Sequence, residues 1–163
     1  MQTWTETEFE RLSWHDCHIW RLTIRTGDPD RGDWTSDLEL DLDFIVEWLC
    51  GTDGSVSFRV APATLTFHDV SGLHVAISWG DSGDRTTLHE ISIDRIEREP
   101  VAGQQVHATR PHHRYTVHTN WPAGGRLSFA AARFTQRLGK EPIFKKEQWL
   151  SSAERLPAQE DQL

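Results

Sequence analysis

Residues 37–44 read DLELDLDF, an acid and an apolar residue in strict alternation. Successive side chains of a β-strand point to opposite faces. This period of two therefore puts Leu38, Leu40, Leu42 and Phe44 on one side and Asp37, Glu39, Asp41 and Asp43 on the other. Upstream, Trp20, Leu22 and Ile24 alternate with Arg21, Thr23 and Arg25, and the turn formers of TGDPDRGDW separate the two runs. The runs fit as an antiparallel pair with Ile24 opposite Leu38, Leu22 opposite Leu40 and Trp20 opposite Leu42. That register sets Arg25 against Asp37 and Arg21 against Asp41, each pair contributing roughly 0.2–1 kcal/mol. A slip of one residue would turn every leucine to water, so this register, or one shifted by two, is favoured. The acidic stripe then reads as a solvated, partly paired face that needs no cation. The same register places Cys17 opposite Ile45, too far from Cys50 for a disulfide.

The rest of the chain follows the same pattern. Val56, Phe58 and Val60 alternate, with Pro62 expected to end or edge that strand, and Leu65 and Phe67 continue an alternating run. Leu73, Val75, Ile77 and Trp79 form another strand. Ile91 and Ile93 alternate, but Ile96 falls out of step, which a β-bulge would repair and a helix would rival. Residues 100–111 read as a loop. Tyr115, Val117 and Trp121 give a strand before Pro122, and Leu127, Phe129 and Ala131 give one more element, closed by LGKEP. Residues 3–12 suit a short helical turn capped by Thr5, with Glu6, Glu8 and Glu10 at its positive end and Phe9 and Leu12 as anchors. The segment IFKKEQWL suits a short helix or an edge strand. Together these predict an all-β fold with minor α: an antiparallel sandwich or partly closed barrel of about eight strands. Residues 1–151 are expected to form one domain and residues 152–163 a polar, disordered tail.

Composition narrows the function. Acidic residues outnumber basic ones 25 to 17, for a formal charge of −8, which opposes general binding to phosphate backbones. The one candidate basic patch, RPHHRY at 110–115, leans on histidines that are mostly neutral at pH 7. Two cysteines make no disulfide framework. The start, MQTWTETEFERL, lacks the basic and apolar regions of a signal peptide, and no apolar run reaches the ~20 residues that span a bilayer. A soluble, cytoplasmic protein with free thiols is the expectation. Only Lys140, Lys145 and Lys146 are lysines among 17 basic residues, a bias associated with GC-rich bacterial genomes.

Two His-Asp pairs follow aromatic residues: His15-Asp16 in WHDCHIW and His68-Asp69 in FHDV. A small-molecule or metal-dependent site built from these four residues is one reading. On strands, however, neighbouring side chains point to opposite faces and clamp poorly. The plainer reading has Asp16 and Asp69 binding backbone amides at a strand end or turn. His15 and Cys17 would share a face, but nothing in the sequence orients a base there. His107, His112, His113 and His118 cluster in one segment, and His113 and His118 have a zinc-like spacing, but without cysteine pairs or a metalloprotease helix a histidine-rich surface segment is the favoured reading. No phosphate loop, dinucleotide fingerprint or nucleophile elbow is present, so no cofactor, metal or catalytic residue is expected. Trp20, Trp79 and Trp121 fall on predicted core faces. Trp34 lies in a loop, and Trp4 and Trp149 lie near the termini, where exposed aromatic rings serve interfaces or fold back over the body.

The segments WHDCHIWRLTI, DLELDLDF, ATLTFHDVSGLHVAI, HEISIDRIERE and GRLSFAAARFTQRLGKEPI together resemble a broad class of uncharacterised bacterial β-domain proteins. Some of these are assigned as immunity proteins against contact-dependent toxins. The resemblance spans most of residues 13–143, implies a β fold and transfers no catalytic residue. The expected function is non-enzymatic binding of a protein partner, with self-association as a variant and no role for nucleic acid or membrane. Asp37, Glu39, Asp41 and Asp43, with Trp34, would form the contact face and steer a basic partner such as a nuclease toxin.

Overall fold

The structure, a computed structural model, describes residues 2–78, 91–101 and 112–155. Trp79, His107, most of the expected 100–111 loop and the last eight residues lie outside them. The strands in chain order are β1 (Thr3–Thr5), β2 (His18–Thr26), β3 (Ser36–Cys50), β4 (Val56–His68) and β5 (Ser71–Ala76). They continue as β6 (Ile91–Pro100), β7 (His113–Trp121), β8 (Arg126–Ala131), β9 (Arg133–Leu138) and β10 (Ile143–Lys145), followed by one helical turn, α1 (Ser152–Arg155). All pairings are antiparallel, in the order β1-β9-β4-β3-β2-β6-β7-β8-β5, with β10 added on β4. The chain is therefore all-β with minor helix, and the ten strands among the described residues form one continuous, open sheet.

The acid-leucine run is the centre of β3. Leu38, Leu40 and Leu42 are wholly buried and Phe44 nearly so. Of the registers that charge and hydrophobicity allow, β2 takes the unshifted one: Ile24 faces Leu38, Leu22 faces Leu40, Arg25 faces Asp37 and Arg21 faces Asp41. The pairing departs from expectation at Trp20. A bulge between Ile19 and Arg21 sets Ile19, not Trp20, opposite Leu42, and Ile19 takes the core position. Leu22 and Ile24 are also less buried than their face predicts, at 37% and 55% exposed. The described part of β6 flanks β2 only at His18 and Ile19.

The two halves of the sheet face each other. Phe67 on β4 meets Phe129 on β8 at 4.7 Å between ring centroids and Tyr115 on β7 at 4.9 Å. Phe9, on the expected short turn (Glu6–Arg11, a 3-10 helix), closes this core against Phe134 and Tyr115. The Glu8 carboxylate accepts from the Thr5 amide and hydroxyl, which fixes the start of that turn. Trp14 also packs here, and its indole N–H donates to the wholly buried Gln136 at 2.6 Å. Removing one of these buried rings would cost about 3–5 kcal/mol.

Three elements differ from the sequence reading. Pro62 neither ends nor edges β4. It sits mid-strand opposite Asp43, in the gap where β9 stops at Ala63 and β10 takes over at Val60, so its missing N–H leaves no ladder bond unmade. The single element expected around Leu127 and Ala131 is two strands. After Ala131 the chain crosses between halves, and the Ala132 amide donates to the His68 carbonyl at the crossing. Finally, Trp121 is half exposed rather than in the core. Ile96 is buried after register shifts in β6, as a bulge requires.

Candidate functional site

The face of β3 opposite the leucines carries a ladder of polar side chains. One row across the strands runs Thr23, Glu39, Thr66, Thr135, Thr5, and the next runs Arg21, Asp41, Thr64, Arg137, Thr3. Acids therefore stand on β3 between arginines on β2 and β9. Arg25 Nε reaches Glu39 at 2.7 Å. Arg21 Nε donates to Asp41 Oδ2 at 2.5 Å, and the Thr64 hydroxyl donates to Asp41 Oδ1 at 2.6 Å. The expected solvated acidic face is corrected here: Asp41 is 4% exposed and Asp43 is fully buried.

Burial of the second half of the stripe comes from the C-terminal segment. The Leu150 amide donates to Asp43 Oδ2, and Arg155 closes a two-pronged pair on Asp43, Nε to Oδ1 at 2.8 Å and Nη2 to Oδ2 at 2.6 Å. Four residues assigned to a disordered tail thus form α1 and belong to the fold. The missed signal is Ser151-x-x-Glu154. Glu154 accepts from the Ser151 amide, and the Glu154 amide donates to the Ser151 hydroxyl, a reciprocal cap. Those Ser151 hydrogen bonds, with Lys145 beside them, push the Glu154 carboxyl down to about 2.

Between this segment and the sheet lies a cleft of about 440 Å³. Its walls are Trp20, Arg21, Asp41, Thr64, Ser152 and Arg155, and its floor is Pro62, Ala63 and Gly139. Both guanidinium groups lie over the Trp20 ring, at 5.1 Å for Arg21 and 5.6 Å for Arg155. The bulge that displaced Trp20 from the core delivers it to this cleft.

The two His-Asp pairs share a backbone feature. Asp16 and Asp69 both have positive φ, 61° and 56°, the left-handed conformation that aspartate tolerates better than most residues. Each ends a turn into or between strands. Their side chains diverge. Asp16 accepts from Asn120 at 2.5 Å and Gln148 at 2.9 Å, while His15 stacks on Trp48 and bonds the Asp94 carbonyl. His68 instead bridges two strands. Its Nδ1–H donates to Asp37 Oδ2 at 2.9 Å, and its Nε2 accepts from the Thr135 hydroxyl at 2.9 Å. Asp69 sends its amide to Asp37 and its carboxylate to His112. One pair sits at the Asp37 end of β3 and the other beside Trp48, roughly 30 Å away along the strand. They do not form a joint site. The Thr135–His68–Asp37 chain has the order of a nucleophile, base and orienting carboxylate. Thr135, however, is paired on both sides within the sheet, with Thr5 and Thr66, rather than projected on a sharp turn.

Exposed aromatic rings collect at the end of β3 near His15. Trp48 is 43% exposed, stacks on His15 and meets Phe58 edge-on. Trp149 is 45% exposed and stacks on His18. Trp121 follows Asn120, which holds Asp16, and Phe144 lies on β10 opposite Arg59 beside Phe58. Trp34 is exposed at the other end of the sheet, in the β2–β3 connection. Cys17 is fully buried, its thiol accepts from the Ile45 amide, and burial pushes it up to about 12, which suits packing and not nucleophilic attack. Among the described residues no group of three or more His, Cys, Asp or Glu is arranged to hold a metal ion, and no helix is long and apolar enough to cross a membrane. Comparison with protein-family profiles, curated proteins and solved structures found no match for this chain.

Proposed function

We propose that this is a non-enzymatic domain that binds a protein partner through the aromatic end of its sheet, in line with the immunity-like class that its segments resemble. The observation that carries this reading is the pair of half-exposed tryptophans, Trp48 and Trp149, stacked on His15 and His18, with Asp16 between those histidines bonded to Asn120 and Gln148. Large aromatic rings already fixed in one orientation lose little entropy on binding and dominate interface energetics. The acidic stripe contributes less than its sequence suggests, because Asp41 and Asp43 are committed to Arg21 and Arg155. The chain's charge of −8 still favours encounter with a basic partner at long range.

A Trp48→Ala, Trp149→Ala double variant tests the reading. Both rings also pack on the body, Trp48 on His15 and Phe58 and Trp149 on His18, so the comparison is made below the melting temperature of the double variant, with its fold checked by circular dichroism. The expected result is a defined partner retained by the immobilised wild-type protein and lost from the double variant. Sedimentation over a range of concentrations separates a second copy of the chain from a foreign partner. Equal retention by both proteins defeats the reading, as does failure of the wild type to retain any partner or copy.

A further inference from the structure

The cleft under the C-terminal segment is a separate feature from the aromatic end, and the chemistry left open in it is one-sided. Among the described residues the carboxylates there are already engaged: Asp41 by Arg21 and Thr64, and Asp43 by Arg155 and the Leu150 amide. Donors remain. Arg21 spends only its Nε–H on Asp41, its side chain is 60% exposed, and the Nη groups at the end of the fork have no acceptor among the described residues. The Trp20 indole N–H is buried without a hydrogen-bond partner among the described residues. Arg137 stands beside Thr64 on the neighbouring strand and has no carboxylate partner among the described residues. Lys140 follows Gly139 of the floor, and its ammonium donates to the carbonyl of Glu154.

Charge points the same way. The chain as a whole carries −8, yet the charged residues that line this cleft are two arginines, Arg21 and Arg155, against one carboxylate, Asp41. An arginine fork whose Nη edge is open matches the two oxygens of a carboxylate. The floor of Pro62, Ala63 and Gly139 and the indole face of Trp20 offer an apolar bed for the body that carries it. A volume of about 440 Å³ lies inside the range of roughly 300–1,000 Å³ typical of small-molecule sites.

We infer that this cleft binds a carboxylate carried on a flat or apolar body, with the anionic head on Arg21 and the body over Pro62 and Ala63 against Trp20. The proposal does not depend on the partner-binding reading, since Trp48 and Trp149 take no part in it. The head is either a free small acid or the terminal carboxylate of a peptide, and the chemistry recognised is the same.

The test uses the full chain, uniformly labelled with ¹⁵N, and follows the Trp20 indole signal by NMR. The probes are phenylacetate and 3-phenylpropionate, their uncharged amides, and the tripeptide Ala-Ala-Phe as free acid and as amide. The expected result is saturable movement of the Trp20 signal with at least one acid, and affinity at least ten-fold weaker for the matched amide. Arg21→Gln weakens the acid at least ten-fold. Because Arg21 also serves Asp41, a second variant, Ser152→Phe, fills the cleft from an exposed position outside the ion pairs and blocks the same probe. Binding by the small acids assigns the source to free metabolites, binding by the tripeptide acid alone assigns it to a protein terminus, and either upholds the proposal. No saturable movement with any acid, equal affinity for acid and amide, or undiminished binding by both variants overturns it.

Discussion

Two halves of one strand carry the same sequence pattern and have different fates. Asp37 and Glu39 remain partly open to water, paired with His68 and Arg25. Asp41 and Asp43, two and four residues further on, are buried, with Arg21 and Arg155 as partners. Nothing in DLELDLDF distinguishes them. The difference is the segment from Leu150 to Arg155, which lies across the second half and not the first. A carboxylate left in water is cheap and its ion pair contributes little. A carboxylate removed from water must be fully bonded, and its partner becomes indispensable.

Arg155→Ala gives the largest test of that contrast. It leaves Asp43 buried with one backbone donor, and the expected loss is about 3–5 kcal/mol in a denaturant titration. At the open half, His68→Ala removes a hydrogen-bond bridge between Asp37 and Thr135, but water can replace it. A loss of about 1 kcal/mol is expected from the same titration. Equal losses from the two variants would break the comparison. Acid sharpens it further. The folded Glu154 carboxyl sits near 2, below its ordinary 4.5, so its contribution is complete above pH 4.5 and is lost as pH falls from there through about 2. The backbone amide signals of residues 150–155 should therefore shift within that window before the core strands respond. Glu154→Gln should remove this early step.

The two His-Asp pairs teach a related lesson. Their recurrence is a true signal, but of backbone: each aspartate occupies the left-handed region at a turn. Which partners the side chains find follows from the strands that arrive there, and these differ at the two ends of β3. The turn position of the two aspartates was legible, but the expected bonds from their carboxylates to backbone amides are corrected: Asp16 takes the Asn120 and Gln148 side chains and Asp69 takes His112. The bonds of Asp16 to Asn120 and Gln148, each more than a hundred residues distant, were not legible. The cleft was hidden for the same reason. Trp20 reaches it only because a bulge breaks the alternation that assigned it to the core, and Arg155 reaches it from a stretch that reads as polar tail.

What the sequence determined by itself is the local grammar. Alternation marked the strands, and the pairing of apolar with apolar and arginine with acid narrowed the β2–β3 register to this one or one shifted by two, because a side-chain period of two forbids only odd slips. The tertiary structure alone decided that ten strands form one open sheet, that its halves face each other over Phe67, and that half of the acidic stripe is covered. Those outcomes depend on long-range contacts between segments whose local patterns are equally compatible with exposure. Burial is settled by whichever distant residue can satisfy the groups being covered.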